Sequence, residues 1–128
     1  MGHCKRAVCR SCGFHFQVEH GGGFFFHLLR CDQCGETKDI GFDQLGEIHL
    51  AYLKGLGGPY CVATMEQDKY IRENYQGKAI SLEEYHSKIE RLCGQCQCGG
   101  QFRFNAQPRC PECKSTEIEE GEKTLLYD

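Results

Sequence analysis

The sequence predicts a small α+β fold in three consecutive parts: two cysteine-rich modules of short antiparallel β-hairpins, joined by a helical middle segment. Three observations predict it. Cysteine occurs 11 times in 128 residues, mostly in short pairs near the two ends. Hydrophobic residues make up 40% of the chain and tryptophan is absent, so no single large core is advertised. Between the cysteine-rich ends the apolar pattern changes from the two-residue period of a strand to the period of a helix. Modules this short bury too little surface to fold alone and need a staple, either disulfides or metal.

The first module is organised by Cys9-Arg10-Ser11-Cys12-Gly13 and Cys31-Asp32-Gln33-Cys34-Gly35, with 18 residues between Cys12 and Cys31. Two C-x-x-C pairs at this separation fit a four-thiolate metal site. A tetrahedral ion with metal–sulfur bonds of about 2.3 Å requires each pair to fold into a tight knuckle aiming two sulfurs at one point. Gly13 and Gly35 supply the sharp turn after the second cysteine. Cys9, Cys12, Cys31 and Cys34 are therefore expected to form one site. The start of the chain leads into no apolar signal core, and no apolar run is long enough to cross a bilayer. A cytoplasmic protein with no membrane partner is expected. Thiols stay reduced in that compartment, so the paired cysteines read as ligands of Zn²⁺ and not as disulfides.

Phe14, Phe16 and Val18 alternate with His15, Gln17 and Glu19, which predicts a strand with one buried face. Gly21-Gly22-Gly23 then reads as a hairpin turn, with Phe24 to Leu29 returning. Thr37 to Phe42 reads as a third short strand. Leu45, Ile48, His49, Tyr52, Leu53 and Leu56 fall on one face of a helix beginning near Asp43 as N-cap and ended by Gly57-Gly58-Pro59. Tyr60 to Ala63 is expected to be a short extended connection, with Cys61 a small buried side chain. Thr64 and Gln67 form a capping box for a second helix whose inward residues are Tyr70, Ile71 and Tyr75. Ser81 and Glu84 cap a third, with Ile80 and Tyr85 as its hydrophobic staple and Ile89 and Leu92 continuing the stripe.

Cysteine pairs resume at the end of that helix. Cys93/Cys96 is a C-x-x-C and Cys96/Cys98 a C-x-C. The glycines after Cys98 parallel those after Cys12 and Cys34, which favours Cys96 and Cys98, with Cys93 an alternative ligand. Cys110 and Cys113 complete a second expected site, and Phe102 and Phe104 start an inward-facing strand. Ile118 and Thr124 to Tyr127 read as a closing hairpin around an acidic turn. Cys4 reads as exposed. The expected boundaries are residues 1–42, 43–92 and 93–128.

These motifs resemble the zinc ribbon family twice, at Cys9-Cys12/Cys31-Cys34 and at Cys96-Cys98/Cys110-Cys113. The glycine run before the second knuckle, Leu-Gly-Glu-Ile-His-Leu-Ala-Tyr at 45–52, Cys-Gly-Gly-Gln-Phe-Arg-Phe at 98–104 and Pro-Arg-Cys-Pro-Glu-Cys at 108–113 make the whole chain similar to small uncharacterised bacterial proteins with two ribbons. The resemblance implies a fold and no particular reaction.

Function is bounded by charge and by ligand count. Formal charge is −3, and two Zn²⁺-tetrathiolate centres, each net −2, take it to −7, so the overall field does not attract phosphate. Four cysteines per site close the coordination shell and leave no position for substrate. His3, His15, His20 and His27 near the first site therefore read as surface or half-buried side chains, His49 as packed and His86 as solvated. No hydrolase, phosphate-loop or metalloprotease motif is present, and no catalytic residue is expected. The leading expectation is a non-enzymatic zinc-binding adaptor, with two Zn²⁺ per chain and a protein partner of unknown identity. A nucleic-acid-binding ribbon protein and a rubredoxin-like iron carrier are the alternatives, because four thiolates also suit iron.

Overall fold

The computed structural model describes residues 2–23, 25–56, 60 and 64–127. It contains two three-stranded antiparallel sheets and four helices among these residues. The first sheet is built from β1 (Gly2–Cys9), β2 (His15–His20) and β6 (Ile118–Tyr127), with β1 in the centre. The second is built from β3 (Phe26–Cys31), β4 (Thr37–Gly41) and β5 (Phe102–Arg103), with β3 in the centre.

The two sheets repeat one plan. A central strand runs into a cysteine knuckle, the knuckle turns the chain into a hairpin partner, and a third strand from much later in the sequence pairs on the other side. Cys9 at the end of β1 lies opposite Ile118 of β6, and Cys31 at the end of β3 lies opposite Phe102 of β5. The second unit is nested in sequence inside the first. Residues 1–42 and 93–128 thus do not close as consecutive hairpin modules, since each end contributes strands to both sheets. The expected hairpin over 13–30 is likewise absent: β2 and β3 exist as strands, but β2 pairs with β1 and β3 with β4.

β1 was not expected. It is short and punctuated by Lys5 and Arg6, yet Gly2, Cys4, Ala7 and Cys9 are buried, and the alternation breaks where the register with β6 shifts. Cys4, expected to be exposed, is buried. The tail forms a single long strand along β1 and not a closing hairpin of its own.

The helices follow the expected stripe with one interruption. Gly46, at φ +57°, separates α1 (Phe42–Leu45) from α2 (Glu47–Lys54), where one helix was expected. Leu45, His49 and Leu53 are buried as the stripe requires. The expected terminator, Gly57-Gly58-Pro59, and the connection through Cys61, Val62 and Ala63 lie outside the described residues, as does Phe24.

In α3 (Met65–Asn74) the Thr64 hydroxyl donates to Asp68 Oδ2 at 2.8 Å and does not cap the helix amides. Asp68 also accepts from the Tyr60 amide and is buried. Tyr70, expected inward, is two-thirds exposed. In α4 (Leu82–Cys93) the Ser81 cap forms as expected, its Oγ accepting from the Glu84 amide at 3.2 Å. Tyr85 and Ile89 are fully buried, but Cys93 takes the last inward position and Leu92 faces out.

The main core belongs to the second unit. Leu29, Ile40, Leu45, Tyr85, Ile89, Cys93 and Phe102 pack together beneath Cys31 and Cys96. At its upper edge the Tyr85 hydroxyl lies between two buried imidazoles, 2.8 Å from His27 Nε2 and 2.7 Å from His49 Nδ1. Burial is the main force lowering the pKa of both histidines, that of His27 to about 4, so both rings are neutral at pH 7. Replacing Tyr85 by Phe leaves two buried ring nitrogens unpaired and is expected to cost roughly 1–3 kcal/mol. Urea unfolding of metal-loaded Tyr85→Phe measures this, and a loss within about 0.5 kcal/mol, the level of an ordinary surface change, would remove the hydroxyl from the interactions that hold the core.

Candidate metal centres

Four knuckles carry the candidate ligands, and all are built alike. In the first, the Gly13 amide donates to the Cys9 carbonyl at 2.8 Å and the Cys9 amide to the Phe14 carbonyl at 2.9 Å. The same two bonds recur from Gly35 to Cys31 and Cys31 to Glu36, and from Lys114 to Cys110 and Cys110 to Ser115. In the C-x-C knuckle the ring is one residue shorter, from Gly99 to Cys96 and Cys96 to Gly100. The turn residue takes positive φ in each case, +79° at Gly13 and Gly35 and +96° at Gly99. Lys114 does so at +64° without being glycine, which carries a steric cost.

The knuckles pair differently from their order in the chain. Cys9 and Cys12 meet Cys110 and Cys113, while Cys31 and Cys34 meet Cys96 and Cys98, the ligand atoms of each set all lying within 4.8 Å of one another. All eight expected residues are therefore used, but neither expected grouping forms. The reason is the sheet topology. β6 leaves the Cys110/Cys113 knuckle to run along β1, and β5 follows the Cys96/Cys98 knuckle to pair with β3. Chain separation is a weak obstacle. Closing the 98-residue span between Cys12 and Cys110 instead of the 19 to Cys31 costs only about 1.5 kcal/mol more in loop entropy.

The sulfur geometry suits a tetrahedral ion. Across the first set, Cys9 and Cys113 are 3.5 Å apart and Cys12 and Cys110 are 3.6 Å apart. Across the second, Cys31 and Cys98 are 3.4 Å apart and Cys34 and Cys96 are 3.7 Å apart. A tetrahedron with bonds of about 2.3 Å has edges of about 3.8 Å, whereas a disulfide would bring sulfurs to about 2.05 Å. The cysteines of both sets are free thiols.

Ionisation within each set is uneven in a way that favours a cation. Burial opposes the charge on Cys9, but amides of Cys12 and Ser11 and the thiols of Cys113 and Cys12 outweigh it and lower its pKa to about 6. Cys31 is lowered to about 7 against burial by the amides of Cys34 and Gln33 and the thiols of Cys98 and Cys34. For Cys12 the Phe14 amide favours the thiolate, yet burial and the neighbouring sulfurs of Cys110, Cys113 and Cys9 push it up to about 12. Cys96 is pushed up to about 12 in the same manner, against the Cys98 amide. One thiolate forms readily in each cluster and the next is resisted until a cation offsets the like charge.

The two centres sit close to one another. The Arg109 guanidinium, beside Cys110, donates to the carbonyls of Asp32 at 3.1 Å and Lys114 at 2.9 Å, bridging a knuckle of one set to a knuckle of the other. Gly100 is required by proximity, because a Cβ there would lie 2.6 Å from Cys31 Sγ. Cys93 and Cys4 stand outside both sets. Cys93 is buried in the core, where burial raises its pKa, and its carbonyl accepts from Lys38 Nζ. None of the expected bystander histidines joins a ligand set. His86, expected solvated, is half-buried and stacked on Phe104 with centroids 4.1 Å apart.

Fold and site together define a small α+β protein with two separate four-cysteine centres, each able to hold a metal ion and each clasping an early knuckle to a late one. The chain belongs to the family described as "Domain of unknown function (DUF8255)", whose profile matches residues 5–119. No curated protein and no solved structure matches it. Among the described residues, no helix is long and apolar enough to cross a membrane.

The nested pairing makes a specific prediction for double variants. With two ions bound to the parent protein, Cys9→Ser with Cys110→Ser removes ligands from one centre and leaves one ion per chain, whereas Cys9→Ser with Cys31→Ser disables both. Elemental analysis after gel filtration reads the ratio. The opposite pattern would restore the sequential grouping.

Proposed function

We propose that the protein is a zinc-stabilised, non-catalytic binding module, an adaptor working in the cytoplasm, with two zinc ribbons whose knuckles are exchanged in sequence. The observation that carries this reading is the closed donor set: four cysteine sulfurs converge at each centre, and among the described residues no histidine or carboxylate belongs to either ligand group. A shell of four thiolates around Zn²⁺ leaves no open position for water or substrate, which favours structural over catalytic metal. Iron in the same shell is the competing reading.

A protein partner is favoured over nucleic acid by charge placement. Phe102 is buried beneath the second centre, and Arg103 is drawn to Asp32 at 3.7 Å and Glu90 at 3.6 Å. Arg10 faces Glu119. The β6 strand brings Glu119, Glu120 and Glu122 alongside β1. A phosphate-tracking groove needs several unneutralised basic residues on one face.

Protein purified without added metal is expected to carry two zinc ions per chain, and chelation is expected to abolish cooperative melting because binding and folding are coupled at this size. Iron as the main metal, with visible charge-transfer absorption, would overturn the zinc reading. In fluorescence anisotropy at physiological salt, mixed-sequence DNA and RNA oligonucleotides are expected to bind no tighter than roughly 10 μM, outside the usual specific range. Submicromolar binding that weakens steeply with salt would move the assignment to nucleic acid.

A further inference from the structure

A cavity of about 530 Å³ opens between β3, the start of α4 and the loop 104–108, and among the described residues no cysteine lines it. Its volume is that of a small-molecule site, commonly some 300–1,000 Å³. Three properties narrow what it would accept.

Its walls are flat. Tyr52 stacks on Tyr85 with centroids 4.0 Å apart and planes within 5°, and His86 stacks on Phe104 at 4.1 Å. His27 stands edge-on to both Phe104 and Tyr60. Parallel and perpendicular rings around one space complement a planar ring better than an aliphatic chain.

Among the described residues the cavity has a single permanent cation. Arg30 projects from β3 and is held in place by backbone carbonyls, with Nη2 donating to Glu19 and Nη1 to Ala106. These bonds orient the guanidinium without neutralising it, and among the described residues it forms no ion pair with a carboxylate. Two carboxylates act on its charge, Glu120, which is engaged by His20, and Glu19, which lines the same cavity without pairing with the guanidinium. Two of five N–H donors are used, which leaves three for a carboxylate. A phosphate dianion would call for a second cation, and among the described residues no other lysine or arginine lines the space.

The polar group at its inner end is neutral. His27 is buried with Nε2 committed to Tyr85, and Nδ1 has no hydrogen-bond partner among the described residues. It offers one hydrogen bond and no charge.

We propose that this cavity binds a small planar aromatic carboxylate, its carboxylate on Arg30 and its ring among Tyr52, Tyr60, His86 and Phe104. The assignment goes beyond the adaptor reading and does not rest on which metal fills the cysteine centres. Calorimetric titration of the metal-loaded full chain with indole-3-carboxylate and 4-hydroxybenzoate tests it, with saturation-transfer NMR to register weak binding. At least one acid is expected to bind with Kd below about 1 mM. Its primary amide, which lacks the charge, and cyclohexanecarboxylate, which lacks the flat ring, are each expected to bind about tenfold more weakly.

Arg30→Gln is expected to lose at least tenfold in affinity for the acid, as is Gln107→Glu, which places a like charge at an exposed position on the rim without touching the packing. The second variant carries the test if the first fails to fold. Absence of saturable binding by both acids up to about 10 mM would overturn the proposal. Equal binding of acid and amide would also overturn it, as would equal binding of aromatic and cyclohexane acids or indifference to the folded rim variant.

Discussion

Four sulfurs held within 4.8 Å of one another, in each of two sets, are the constraint on which this fold depends. Sulfur separations of 3.4 to 3.7 Å cannot coexist with four negative charges unless a cation sits among them. An ion held by either set would therefore do more than shape a knuckle: it would join a knuckle that ends a central strand to one that delivers the third strand of the same sheet. The two units differ in what else they have. The second has a buried cluster with three helices packed around it, including Tyr85 and Ile89. The buried apolar side chains of the first sheet are few, chiefly Cys4, Ala7 and Val18, so a metal held at its cysteines would supply a larger share of its stability.

Nesting one unit inside the other brings residues 2–9 and 118–127 together as neighbouring strands. The entropic penalty for that long closure is small, and the strand ladder between β1 and β6 offsets it, as would an ion held between the two knuckles. The arrangement also places the centres close enough for Arg109 to reach carbonyls on both.

All eight candidate ligands were legible in the sequence, because knuckle chemistry is local: a pair of cysteines, a tight spacing and a turn residue tolerant of positive φ. The preference for Cys96 and Cys98 over Cys93 rested on the following glycines, and Gly99 does supply the +96° turn. The Ser81 cap and the inward Tyr85 and Ile89 were legible for the same reason. What remained hidden was partner choice. Nothing between Cys12 and Cys31 distinguishes a hairpin from two strands in different sheets, since Gly21 to Gly23 permits either a turn or a crossover. β1 was obscured because its buried positions are Gly, Cys and Ala, small residues that give little periodic signal. The break at Gly46 was masked by an apolar stripe that continues across it.

The polar group at the centre of the second unit ties core to cavity through a single proton. Tyr85 has one hydroxyl hydrogen and two neutral imidazoles beside it, so it donates to one ring and must accept from the other. If His27 donates through Nε2, its Nδ1 is an acceptor, Tyr85 donates to His49, and His49 carries its proton on Nε2. The reverse arrangement makes His27 Nδ1 a donor and His49 Nε2 an acceptor. His27 lines the aromatic cavity and His49 lines a second, more apolar one of about 560 Å³. Whatever hydrogen bond His27 makes in the first cavity therefore fixes the tautomer presented at the second. No side chain has to move for that to happen, because only hydrogens change place along a bonded row whose heavy atoms are held by the core.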